Sequence, residues 1–112
     1  MPIYNLNEMD SEVITPKHSP SYGELITGET IEFGRIKWDK GMPAEEHSHP
    51  QEQIMYVVSG RLRVTMEGQT VDLLPGMAAH TPPNVKHERE ALEDTEVISC
   101  KNVIEGVGHA RI

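Results

Sequence analysis

The 112-residue chain has few of the groups that cross-link, stack or grip a polyanion. A single cysteine, Cys100, excludes an internal disulfide and fits a reducing compartment, where its ordinary role is that of a small buried apolar side chain. Aromatic residues are scarce, at one Phe, one Trp and three Tyr, so an interior must be filled by Val, Ile, Leu and Met. Ten Lys and Arg stand against 18 Asp and Glu, a formal charge of −8 with no basic run to offset it. That balance repels phosphate backbones and anionic bilayers, so neither nucleic acid nor a membrane is an expected partner. No apolar stretch approaches the roughly 18 residues of a membrane span. The opening Met1-Pro2-Ile3-Tyr4-Asn5 has neither the basic nor the apolar region of a signal peptide. A cytoplasmic protein is expected.

Turn formers are plentiful. Eight Pro and nine Gly divide the chain into short segments, and its length suits one domain, residues 1–112, with one core. Residues 1–22 read as an N-terminal arm, with short edge strands near Ile3–Leu6 or Val13–Thr15. Such strands are candidates to pair with a second subunit, and a homodimer is expected. Residues 31–38 read as a strand of undecided inner face, since Ile31/Phe33/Arg35/Lys37 and Glu32/Gly34/Ile36/Trp38 are both mixed. Residues 53–58 form a nearly continuous apolar run, the pattern of a strand buried on both faces, with Tyr56 packed between layers. Beyond Ser59-Gly60, Leu62/Val64 and then Val71/Leu73 alternate with polar residues, as half-buried strands do. Turns at Pro75-Gly76, Pro82-Pro83-Asn84 and Asp94-Thr95 punctuate the rest. Short strands at this spacing, with no long helix, predict an all-β barrel or sandwich.

One segment concentrates chemistry. In Glu46-His47-Ser48-His49-Pro50-Gln51-Glu52-Gln53 the two histidines are two residues apart, so an extended backbone turns both imidazoles to one side. A solitary His-x-His fits a solvated loop equally well. A third imidazole at His87 and the amide oxygen of Gln53 complete a set of three nitrogens and one neutral oxygen, suited to one divalent metal ion. Glu52 is a rival fourth ligand, whereas Glu45 and Glu46 read as solvated rim charges.

On these residues the chain resembles the cupins. Their first motif runs Gly, five residues, His-x-His, three or four residues, Glu, six residues, Gly; Gly41, His47, His49, Gln53 and Gly60 fall on it, with Gln for Glu. Their second motif, Gly, five residues, Pro-x-Gly, two residues, His, three residues, Asn, is met by Gly76, Pro82 and His87, with Asn84 for Gly and Ala91 for Asn. The motifs span 41–91. The resemblance implies a double-stranded β-helix, or jelly-roll barrel, often dimeric, with Zn, Mn, Fe or Ni held inside at one end. Small relatives with Gln in the first motif open unsaturated uronate sugars and carry Asp-x-Phe on the last strand. Here that region reads Ser99-Cys100-Lys101, which argues against the sugar reaction.

With Gln53 as fourth ligand the metal keeps its full charge, and the site is a Lewis acid without a ligand carboxylate to act as base. If His87 points inward, so does Arg89 two residues on, and a guanidinium near a dication calls for an anion between them. The alternative leaves Arg89 solvated at the mouth. In similar cupins the last strand passes the metal pocket, and this resemblance makes Lys101 the candidate catalytic residue, binding the same anion or relaying a proton, with a surface position as its alternative. Met55 and Val57 share the face of Gln53 and are expected to form apolar pocket wall. The expected function is that of a metal-dependent isomerase, cyclase or lyase acting on a small carboxylated or oxygen-rich molecule. A metal-dependent dioxygenase and a non-catalytic small-ligand module are the alternatives. His18 and His80 read as surface or hydrogen-bonded residues; no path is predicted for His109 and Arg111.

Overall fold

The computed structural model describes residues 1–110, so Arg111 lies outside the described residues. Its strands are β1 (Glu12–Val13), β2 (Tyr22–Thr27), β3 (Ile31–Trp38), β4 (Pro43–His47), β5 (Gln53–Ser59), β6 (Leu62–Met66), β7 (Gln69–Leu73), β8 (Ala78–Thr81), β9 (His87–Ala91) and β10 (Thr95–Asn102). They form two antiparallel sheets, β1-β2-β3-β10-β5-β8 and β4-β9-β6-β7, wrapped around one interior as a jelly-roll barrel. The segment expected as a strand at Ile3–Leu6 is instead irregular and leads into a 3-10 turn over Leu6–Glu8, because the Asn5 side chain accepts from Asn7 N–H and caps it. Of the second expected edge segment only Val13 is in a strand, β1, which pairs with β2 of the same chain, while Ile14 just beyond it sits in the core.

Alternation decides the faces. In β3 the inward set is Glu32, Gly34, Ile36 and Trp38. Two large apolar side chains at one end outweigh the single carboxylate at the other, which the fold then has to satisfy. The apolar run of β5 turns out to be buried on one side only. Gln53, Met55 and Val57 face in, while Ile54, Tyr56 and Val58 are 53%, 46% and 42% exposed. Tyr56 therefore does not pack between layers. Nor is Cys100 buried; it is half-exposed on the same outer face, paired across the ladder with Phe33 and Ile54.

Turn chemistry holds the register. Gly60 has φ +89°, and a Cβ there would lie 2.3 Å from the carbonyl oxygen of Asp94, so the β5–β6 turn closes only with glycine. Asn84 adopts φ +66° where the resemblance has glycine.

The interior is divided along the barrel. At one end Ile36, Trp38, Val57, Leu62, Leu73 and Val97 make an apolar core. Each such side chain contributes roughly 1.5–3 kcal/mol on burial, so this end supplies a large share of the fold's apolar stabilisation. At the other end the ladder sets Glu32, Lys101, Gln53 and Thr81 side by side across β3, β10, β5 and β8, and all four are buried. A structure that encloses a row of polar side chains has a use for them or partners for them.

Candidate metal centre

Facing that row, the smaller sheet brings the histidines in. His47 on β4 pairs with His87 on β9, and Ala44 pairs with Arg89. Two residues of β4, Glu45 and Glu46, thus oppose one of β9, Glu88, a bulge that turns both Ala44 and His47 inward. Without the extra residue, strict alternation would send His47 to solvent. His49 follows just beyond the strand. The ring centroids of His47 and His87 are 4.5 Å apart and those of His49 and His87 4.9 Å. One nitrogen from each of the three lies within 4.8 Å of the others, so the group can hold a metal ion.

The main chain fixes which nitrogen. Nδ1 of His47 lies 2.7 Å from the carbonyl oxygen of Glu45, in the bulge itself; Nδ1 of His49 is 2.9 Å from that of Gln51, and Nδ1 of His87 is 2.9 Å from that of Val85. A carbonyl only accepts, so each Nδ1 carries the proton and each Nε2 keeps its lone pair. Nε2 of His49 and of His87 are buried with no hydrogen-bond partner among the described residues. Burying bare acceptors is costly, and a cation at their meeting point removes that cost. Burial also keeps the rings neutral: it lowers the pKa of His47, and that of His49 to about 4 and of His87 to about 3, with the charges of Lys101 and Arg89 adding to the effect. Neutral imidazoles with matched tautomers fit a divalent ion of the first transition row.

Gln53 is buried, donating from Nε2 to Ser99 Oγ at 2.8 Å and accepting at Oε1 from Arg89 Nη2 at 3.2 Å. Arg89 is inside, and among the described residues its only other bond is a long one of 3.4 Å to Thr81 Oγ1. Its Nε is buried without a partner among the described residues. Lys101 is also inside, only 5% exposed, in place of the surface position weighed from sequence. Burial and then the Arg89 charge push its pKa down to about 7, against the pull of Glu32. These groups border a cavity of about 20 Å³, room for one water or ion, lined by His47, Gln53, Met55, Arg89, Lys101 and His109 among others. Met55 is thus pocket wall, whereas Val57, one pleat further along β5, belongs to the apolar core.

Glu52 is not a ligand, because it points outward and pairs with exposed His80 at 2.6 Å. Glu45 and Glu46 are exposed. Four participants were not expected at the site from sequence. His18, from the N-terminal arm, stacks on His47 with centroids 4.2 Å apart and planes 5° from parallel. Ser99, Glu32 and His109 meet behind Gln53. The face of β3 that holds Ile36 and Trp38 was the one available pointer to Glu32.

Residues 34–99, more than half of the chain, match the cupin domain family Cupin_2. The chain is a cupin. An uncharacterised protein of Streptomyces coelicolor is 24% identical over 99 residues, 88% of this chain and 92% of that one. Among solved structures, this cupin is similar to KdgF from a Halomonas species, at 28% identity and TM-score 0.80, covering 91% of this chain and 93% of that one. An RmlC-like cupin of Shewanella frigidimarina shares the fold at 22% identity and TM-score 0.77, over 88% and 87% of the two chains. So does a protein of Thermotoga maritima described as a predicted oxalate decarboxylase, at 19% and 0.79, over 92% and 100%.

Proposed function

We propose that this cupin is a metal-dependent enzyme acting on a small carboxylate-bearing, oxygen-rich molecule by isomerisation, cyclisation or elimination. His47, His49, His87 and Gln53 hold one divalent ion, which when bound acts as a Lewis acid toward a substrate oxygen. One observation carries the anionic substrate. Arg89 and Lys101 are buried beside the imidazoles, and among the described residues neither is hydrogen-bonded to a carboxylate. A guanidinium held by two long bonds to neutral oxygens is an under-satisfied cation, and a metal would add to the repulsion. A substrate carboxylate between them offers charge-assisted bonds in place of the 3.2 Å contact to Gln53. Lys101 Nζ is then the group placed to give or take the proton. Sugar ring-opening of the Asp-x-Phe kind is not proposed, since Ser99 and Lys101 stand there and Ser99 is fully enclosed.

Calorimetry on protein reconstituted with Zn(II) or Mn(II), titrated with a panel of small hydroxy-, keto- and dicarboxylates, tests the reading. Arg89→Ala is expected to weaken the best ligand by about 1.5–3 kcal/mol, and unchanged affinity removes Arg89 from the site. Anaerobic turnover supports non-redox chemistry; turnover only with Fe(II) and oxygen uptake converts the reading to a dioxygenase. Binding without turnover leaves a sensor.

The outer face of β3, β10 and β5 presents Ile31, Phe33, Ile98, Cys100, Ile54 and Tyr56 in cross-strand contact. We propose that a second copy covers it, since an isologous pair buries the same apolar strip from both sides. Light scattering is expected to give a dimer that Tyr56→Lys dissociates. A monomeric wild type rejects the proposal.

A further inference from the structure

Behind Gln53 runs a chain of hydrogen bonds that ends in the C-terminal tail. Gln53 Nε2 reaches Ser99 Oγ at 2.8 Å, Ser99 Oγ reaches His109 Nε2 at 2.8 Å, and His109 Nδ1 reaches Glu32 Oε1 at 2.6 Å. Every member is buried, Ser99 completely. Serine, histidine and carboxylate in this order resemble a nucleophilic triad, but the hydroxyl is enclosed and already accepts from an amide, so no substrate carbonyl can reach it.

The direction of each bond is forced, starting from Arg89. A guanidinium has donors only, so the Gln53 atom facing it is Oε1, and Nε2 faces Ser99. Ser99 Oγ therefore accepts from Gln53 and has its own proton to place. Among the described residues its remaining partner is His109 Nε2, which must accept. His109 then carries its proton on Nδ1 and donates to Glu32. Reverse a link and either a buried donor loses its acceptor or, at Glu32, two acceptors face each other, at a cost of about 1–3 kcal/mol.

The tail is fitted for the task. Val107 O accepts from the Gln51 side chain at 2.9 Å, while the Gln51 carbonyl orients His49. Gly108 lies so close to Glu32 that a Cβ would fall 2.7 Å from the Glu32 Cβ. Only glycine lets the backbone pass there and deliver His109, whose own N–H also bonds to Glu32 Oε1.

We propose that His109, with Ser99 and Glu32, is a positioning residue for Gln53: the relay holds the amide so that Oε1, and not Nε2, faces the cavity shared with the imidazoles. This rests on Gln53 acting as a ligand. A flipped amide would present a donor to the ion and remove the fourth ligand.

The test compares His109→Phe, which fills the space without the bonds, with His109→Gln, which keeps an acceptor for Ser99 and a donor for Glu32. Two readouts are taken: the side-chain amide signal of Gln53 in glutamine-¹⁵N-labelled, metal-free protein, and Co(II) affinity with its visible spectrum. The Phe variant is expected to shift or double the Gln53 signal, weaken Co(II) by about tenfold and alter the ligand-field bands, with the Gln variant returning toward wild type. An unperturbed Gln53 signal in the Phe variant overturns the proposal. If the wild type binds no Co(II), the metal reading fails, and the amide signal still decides whether the relay orients Gln53. Should the Phe variant not fold, Ser99→Ala supplies the same comparison.

Discussion

His47→Ala is expected to leave a folded barrel that has lost its metal. The imidazole is one of three nitrogens that converge within 4.8 Å, and two nitrogens with an amide oxygen are a poor substitute. Metal content by elemental analysis should fall from about one ion per chain to near zero after dialysis against micromolar metal. The circular dichroism of the sheet should persist, because much of the apolar core, including Val57, Leu62, Leu73 and Val97, does not border the cavity that His47 lines. His47 is only half-buried, so its loss opens no large void. Full metal retention by the variant would contradict the assignment. Collapse of the sheet would mean that the polar end carries more of the stability than its composition suggests.

Acidification of the metal-free protein should have the second large effect. An unfolded imidazole titrates near 6.5, whereas in the folded chain His49 and His87 do so at about 4 and about 3 because burial disfavours the charged ring. Between those values the unfolded chain binds protons that the folded chain refuses. Stability is therefore intact above pH 6.5 and drains away as pH falls toward 3, by about 1–2 kcal/mol per ring after allowing for solvent screening of these partly open sites. Glu32 acts in the same direction lower down. Burial would raise its pKa, but bonds from His109 and Thr27 hold it at about 2, so its contribution is lost below about 4.5. Lys101, lowered to about 7 from 10.5, extends the slope upward: the folded chain prefers the neutral amine, and stability climbs further between pH 7 and 10. Urea unfolding with a chelator present, at pH 4 to 9, reads this slope. A flat profile would refute the picture of neutral, buried imidazoles.

What could be read from sequence followed from local rules. Residues 31–38 have β-rich composition and a turn at Asp39-Lys40-Gly41, and β3 has those bounds. His47 and His49 could be chosen because residues two apart in an extended segment share a side, and His87 is joined to them by the resemblance to the second cupin motif. What escaped depends on distant contacts. The bulge in β4 leaves no mark on Pro43-Ala44-Glu45-Glu46, since any residue can be the extra one. Lys101 is reached only through the resemblance to cupins, since nothing in Ser-Cys-Lys itself announces the burial of an ammonium. His109 sits in a tail without periodicity, placed by Gly108 against a carboxylate 77 residues earlier. Ile54, Tyr56 and Val58 made β5 look enclosed, because hydrophobic pattern alone does not distinguish an interior from a bare outer face.

All three acceptors that orient the imidazoles belong to the peptide backbone, at Glu45, Gln51 and Val85. Amino-acid replacement at those positions leaves the carbonyls in place, so the coordinating lone pairs are insulated from most point mutations. A scaffold so permanent exerts little chemical discrimination of its own, and in the test tube copper would outcompete zinc, nickel and iron by intrinsic preference. On the proposed metal-binding reading, an ion recovered with the protein is expected to follow the growth medium. Physiological loading is a matter of cellular supply, and catalytic assays should begin from stripped protein repopulated with one cation at a time.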